Sequence, residues 1–190
     1  MENDFSILEQ ALIQVIDSDD TIRKQSEEII KKIEETDDCF GLFMEILFQS
    51  AEPRARNQAA IQLCFMVNLR KQKIDDAIKG SLKKVLVDYL VNSQTNTSND
   101  TQIIINNIIE CIRILAENDH QMWTELDEYI DQFIDTLDYY RIFTLNNVIR
   151  NLESQFIEEK YQVYGQIVSL AIISSDDLSV NTEGIYVLSY

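Results

Sequence analysis

The sequence predicts an all-α fold, a right-handed solenoid of stacked helical hairpins, and three observations predict it. Apolar residues recur at helical spacing almost throughout the 190 residues. Turn-forming residues are scarce: four Gly and one Pro are too few for a β-sandwich, a β-barrel or a disordered linker. Short polar junctions cut the helical stretches into pairs that repeat along the chain.

The first pair opens with a stripe of Phe5, Leu8, Ala11, Leu12 and Val15. A second stripe follows in Ile22, Ser26, Ile29, Ile30 and Ile33. Between them, Asp17-Ser18-Asp19-Asp20 supplies side-chain oxygens that can accept from the free amides of the second helix. In the second pair, Phe40, Phe43, Met44, Leu47 and Phe48 stripe a helix that stops near Ser50. Pro53 then stands where a first helical turn tolerates a missing amide. The helix over 54–69 carries small Ala55, Ala59 and Ala60 on one side, which admits a close neighbour. Ile61, Leu63, Phe65, Met66 and Val67 make it apolar nearly all round, which predicts a helix sandwiched between others.

A third pair runs over 74–91 and 101–117, with stripes Ile74, Ile78, Leu82, Val85, Leu86, Tyr89 and Ile104, Ile108, Cys111, Ile112, Leu115. Its joining segment, 92–100, holds no apolar residue and reads as a polar loop. A fourth pair covers 121–137 and 139–152. The fifth opens with Ile157, Tyr161, Tyr164, Val168 and Ala171, and its second helix has barely begun at Tyr190. The approximate pairs are 4–36, 39–71, 74–117, 121–154 and 157–190, about four and a half repeats of one solenoid. A spacing of about 35 to 47 residues with two helices each is the size of a HEAT or armadillo unit. The Trp/Leu-Gly/Tyr/Pro signature of tetratricopeptide repeats is absent. Each pair of such a stack buries its apolar faces only against its neighbours. A chain that stops within the fifth pair is therefore expected to be the front of a longer one.

Composition excludes several function classes. No apolar run approaches the roughly 20 residues needed to span a bilayer. The acidic, polar start lacks the pattern of a signal peptide, so a soluble intracellular chain is expected. Under that expectation the sequons at Asn96 and Asn99 are only part of the polar loop. Cys39, Cys64 and Cys111 are far apart and set among apolar residues, which suits small buried hydrophobes rather than ligands. His120 is the single histidine, beside Asp119 at a helix junction, and Gly41, Gly80, Gly165 and Gly184 are isolated. Neither a metal site, a phosphate loop nor a catalytic triad can be assembled from these residues, so no enzyme, cofactor or metal is expected.

The net charge of −17 opposes nucleic acid and anionic membranes and favours basic partners. Charge is also unevenly placed. Between positions 53 and 87 there are eight Lys/Arg (Arg54, Arg56, Arg70, Lys71, Lys73, Lys79, Lys83, Lys84) against Asp75 and Asp76. Between 117 and 138 there are eight acids (Glu117, Asp119, Glu125, Asp127, Glu128, Asp131, Asp135, Asp138) and no Lys/Arg. Such a pattern reads either as two solvated helix faces or as a bipolar docking surface that orients a charged protein partner.

Three motifs carry a family resemblance. Leu8-Glu9-Gln10-Ala11-Leu12, followed by Ser18-Asp19-Asp20-Thr21-Ile22-Arg23-Lys24-Gln25-Ser26-Glu27-Glu28, resembles the first repeat of the importin-beta (karyopherin-beta) family of nuclear transport receptors. Phe43-Met44-Glu45-Ile46-Leu47 and then Arg56-Asn57-Gln58-Ala59-Ala60-Ile61-Gln62-Leu63 is similar to the family's Arg-x-x-Ala-Ala-x-x-Leu helix. Asn118-Asp119-His120-Gln121-Met122-Trp123-Thr124-Glu125-Leu126 is similar to the Trp-Pro-Glu-Leu opening of a later repeat. The likeness spans about residues 5 to 155 in order and spacing. Departures are Ser26 for Ala, Thr124 for Pro, and Cys64-Phe65 for a Lys-Asn pair that contacts the GTPase Ran in family members.

The resemblance implies an amino-terminal region of HEAT repeats in a receptor that moves between cytoplasm and nucleus through the nuclear pore. It implies Ran-GTP on the concave side against second helices, a cargo protein, and phenylalanine-glycine nucleoporins bound through later repeats. Carried over by position, Arg56, Gln58 and Gln62, expected as exposed polar residues of the second helix of the second pair, are the candidate GTPase contacts. A HEAT-repeat scaffold or adaptor unrelated to Ran is the alternative reading.

Overall fold

Helix signals dominate the sequence, and the computed structural model, which describes residues 2–70, 73–93, 99–117 and 123–131, contains only helices among those residues. They are α1 (Glu2–Gln14), α2 (Asp20–Glu34), α3 (Cys39–Gln49), α4 (Pro53–Arg70), α5 (Asp76–Ser93), α6 (Asn99–Glu117) and α7 (Thr124–Asp131). The chain divides into two compact units, Met1–Cys111 and Ile112–Tyr190, with the division inside α6. In the second unit, Trp123 and Leu126 are buried and Glu125 and Glu128 exposed. The expected helix over 139–152 and the pair over 157–190 lie outside the described residues, as does His120.

Caps at the helix starts follow from acidic side chains. Asp19 is the N-cap of α2, and its Oδ1 accepts from Thr21 N–H at 2.7 Å and Ile22 N–H at 3.3 Å. Those backbone bonds hold the Asp19 carboxyl below its ordinary range. Asp20, in the first turn, pairs with Arg23 and with Lys24. At α5, Asp75 accepts from Ala77 N–H at 2.8 Å, while Ile74 just before it is buried and anchors the incoming chain. Pro53 opens α4, where its missing amide costs nothing.

The first unit is organised around α3. Cys39, Phe40, Leu42, Phe43, Ile46 and Leu47 of this helix are all buried. It packs most extensively on α4, and also on α1, α5 and α2. Close approach of α4 comes from Ala55, Ala59 and Ala60, which are buried together with Leu63, Met66 and Val67. α1 packs on its hairpin partner α2 and also reaches across to α4 and α3, burying Leu8, Ala11 and Leu12. α2 is peripheral: of its stripe only Ser26 and Ile30 are fully buried, and Ile22, Ile29 and Ile33 are half-buried.

Two polar contacts tie the ends of α3 to the first hairpin. At its C-terminal end, buried Ser50 donates from Oγ to Glu9 Oε1 of α1 at 2.5 Å and accepts from Glu52 N–H at 3.0 Å. At its N-terminal end, Arg70 donates from Nη2 to the Glu34 carbonyl at 2.6 Å and from Nη1 to Cys39 Sγ at 3.6 Å. That guanidinium answers free carbonyls at the end of α2, where a cation is favoured. Burial pushes the neighbouring Glu34 carboxyl up, and Arg70 opposes the shift.

Two outcomes follow. Gly80 is exposed within α5 and an added Cβ there meets nothing. Gly80→Ala is therefore expected to raise the unfolding free energy by about 0.5–1 kcal/mol, read by urea titration. Asp19→Ala is expected to lower the melting temperature at neutral pH. The Asp19 carboxyl is depressed in the fold, so its contribution is complete above the unfolded pKa. The deficit of the variant should narrow as pH falls through the native value, measured by circular dichroism melts.

Candidate protein-interaction surface

The helix predicted to lie between others packs on α3 and α1, but not all of its apolar residues are covered. One side of α4 buries Ala55, Ala59, Ala60, Leu63, Met66 and Val67, while Ile61, Phe65 and Leu69 remain 38%, 51% and 66% exposed. These three stand four residues apart, so they form a single ridge along the helix. A helix apolar all round gives no periodic clue to which side faces solvent, and the apposition of α1 and α3 decides it. Isolated exposed apolar residues are ordinary, but a contiguous row marks a contact surface.

Polar residues border this ridge. Gln58 and Gln62, one turn apart, are half-buried along one edge with exposed Arg54 one turn before them, and exposed Asn68 lies toward the other edge. On the other edge Asn57 is half-buried and its Oδ1 accepts from Asn107 Nδ2 of α6 at 2.9 Å. Cys64 lies on this same edge toward Cys111 of α6, whose thiol is pushed well up by burial first and then by Cys64 and Glu110. On α6, Ile103 is 50% exposed and Asn106 is exposed. Cys39 and Cys111 are buried as expected, whereas Cys64 is only half-buried.

Of the three residues singled out from sequence, Gln58 and Gln62 fall together beside the ridge. All three are half-buried rather than freely exposed. Arg56 lies roughly 120–160° round the helix from the two glutamines. It is directed to the Tyr89 hydroxyl of α5, and its Nε is buried without a hydrogen-bond partner. Burial raises the Tyr89 pKa, and Arg56 and Ser93 partly offset it. The Tyr89 ring also meets Phe48 edge-on, with centroids 5.4 Å apart. Arg56 thus contributes to the α4–α5 contact. Ile61, Phe65 and Leu69 were not singled out, although their four-residue spacing is visible in the sequence.

The basic sector does not form one surface. Arg56 and Arg70 turn inward, Lys79 pairs with Asp76 at 3.3 Å, and Arg54, Lys73 and Lys84 are exposed on separate segments. Lys71 lies outside the described residues. In the acidic sector, Asp119, Asp135 and Asp138 also lie outside them. Among the described residues, no group of three His, Cys, Asp or Glu is placed to hold a metal ion, and no helix is long and apolar enough to cross a membrane. No known protein family, curated protein or solved structure matches this chain.

The ridge and the core face of α4 are distinguishable by mutation. Leu63→Ala is expected to lower the unfolding free energy by about 2–5 kcal/mol. Phe65→Ser, on the exposed side, should change it by no more than about 0.5 kcal/mol. Chemical denaturation of the two variants checks the contrast.

Proposed function

We propose that the chain is a right-handed solenoid of HEAT-type hairpins from the amino-terminal region of an importin-beta-type nuclear transport receptor. In this reading α1/α2, α3/α4 and α5/α6 are successive hairpins, and the exposed side of α4 receives Ran-GTP. The observation that carries it is the Ile61–Phe65–Leu69 ridge edged by Gln58 and Gln62, on the helix whose sequence resembles the family's second-repeat helix. Phe65 replaces the Asn of the family's Lys-Asn pair, so the contact here rests more on apolar burial than on charge. Arg56, the third candidate GTPase contact, is half-buried beside Tyr89 on another side of the helix. Cargo carriage between cytoplasm and nucleus, and binding of phenylalanine-glycine nucleoporins through later repeats, belong to the same proposal.

A second reading has one observation in its favour. With the Lys-Asn pair replaced by Cys64-Phe65, the same ridge would suit an adaptor that docks an apolar helix of an unrelated partner.

Binding of the chain to Ran loaded with a non-hydrolysable GTP analogue or with GDP, followed by surface plasmon resonance, separates the two. The transport reading expects binding at least about tenfold tighter to the GTP form, a difference of about 1.4 kcal/mol. Phe65→Ser and Gln62→Ala should each weaken it. Equal affinity for both nucleotide states, or no binding to either, sinks the transport reading.

A further inference from the structure

We propose that the cleft between α3 and α5 is a docking site for a lysine side chain carried on a basic segment of a partner protein. The cleft has a volume of about 230 Å³. Small-molecule pockets run to about 300–1,000 Å³, so this one suits a single side chain better than a whole ligand. Its apolar wall is Phe40 and Met44 of α3 and Ile78 of α5, the last two half-buried rather than sealed. Gly41 and Ser81 also line the cleft, and being small they leave its space unfilled.

Asp37 and Asp38 stand exposed at the rim. Asp38 occupies the N-cap position of α3 yet makes no capping hydrogen bond through its side chain. Its carboxylate lies over Gly41 instead, in the space that a Cβ at position 41 would need. Two basic groups of the surrounding helices are engaged elsewhere, while Lys84 of α5 is exposed. Lys79 of α5 is paired with Asp76, and Arg70 of α4 donates to the Glu34 carbonyl and Cys39.

An apolar slot with carboxylates at its mouth matches the two parts of lysine. The flexible four-carbon stem lies along apolar surface while the ammonium remains at the wet rim between the carboxylates. A net charge of −17 draws basic segments toward the chain at long range, and the slot supplies the short-range fit. The cleft is built by α3 and α5 and does not use the α4 ridge, so this proposal stands or falls independently of GTPase binding.

The test is a titration of the ¹⁵N-labelled protein with the blocked heptapeptide Ser-Gly-Lys-Leu-Lys-Gly-Ser at physiological salt, followed by NMR. Saturable shifts are expected at the amides of Gly41 and Ser81. The double variant Asp37→Asn/Asp38→Asn should weaken binding about five- to tenfold. Glu27→Gln/Glu28→Gln removes equal charge from the exposed side of α2 and should change it by less than about twofold. A peptide with both lysines replaced by 2,4-diaminobutyrate, which in mildly acidic buffer keeps the charge but halves the stem, should bind more weakly than the parent. Circular dichroism confirms that each variant is folded. Equal weakening by the two double variants, full affinity for the short-stem peptide, or shifts spread over the acidic surface would overturn the proposal.

Discussion

The packing of α4 on α3 is the contact on which the first unit depends. α3 has only eleven residues, and six of them are buried. A helix that short is marginal alone and is held by tertiary contacts on several sides at once. The alanines of α4 are what permit this, because a helix face without long side chains lets the α3 backbone come near and α1 reach α4 as well. Larger residues at Ala55 or Ala59 would separate all three helices, since a close-packed interior has no slack to absorb them.

Apolar packing sets how near the helices lie, but it is non-directional and fixes their relative slide poorly. The two polar ties at the ends of α3 supply direction. Ser50 to Glu9 fastens one end to α1, and Arg70 to the Glu34 carbonyl and Cys39 fastens the other to α2. Both ties satisfy groups that burial would otherwise leave unpaired: a buried hydroxyl in one case and a helix-terminal carbonyl in the other. Arg70 therefore serves the fold, although in the sequence it reads only as one more member of a basic stretch.

The outward surfaces follow from the same arrangement. With one side of α4 committed to α1 and α3, its opposite side is left with Ile61, Phe65 and Leu69 and no helix of the first unit to cover them fully. With α5 packed on α3, small Gly41 of α3 and Ser81 of α5 leave a cleft rather than a sealed joint, and the acidic junction before α3 becomes its rim. Both surfaces are apolar with polar edges.

Helix class and most helix ends were legible in the residues themselves. Pro53, Asp19 and the Asp17–Asp20 run act within one turn of chain, so their consequences are local and can be read without a partner. The buried stripe of α6 and the Leu8, Ala11 and Leu12 centre of the α1 stripe were legible for a similar reason, because a periodic apolar face has one sensible inside. Three features were not. α4 is apolar on both sides, so only the helices that pack against it chose Leu63 for the core and Phe65 for the surface. Phe48 belongs to the apolar stripe of α3 yet stays partly exposed, because Tyr89 covers it only edge-on. Arg56 sits among polar positions that look equivalent along the helix, yet a tyrosine more than thirty residues away draws it inward. Local sequence determined where helices begin and how they are capped; long-range packing alone determined which faces they bury, because burial is a property of the neighbour as much as of the residue.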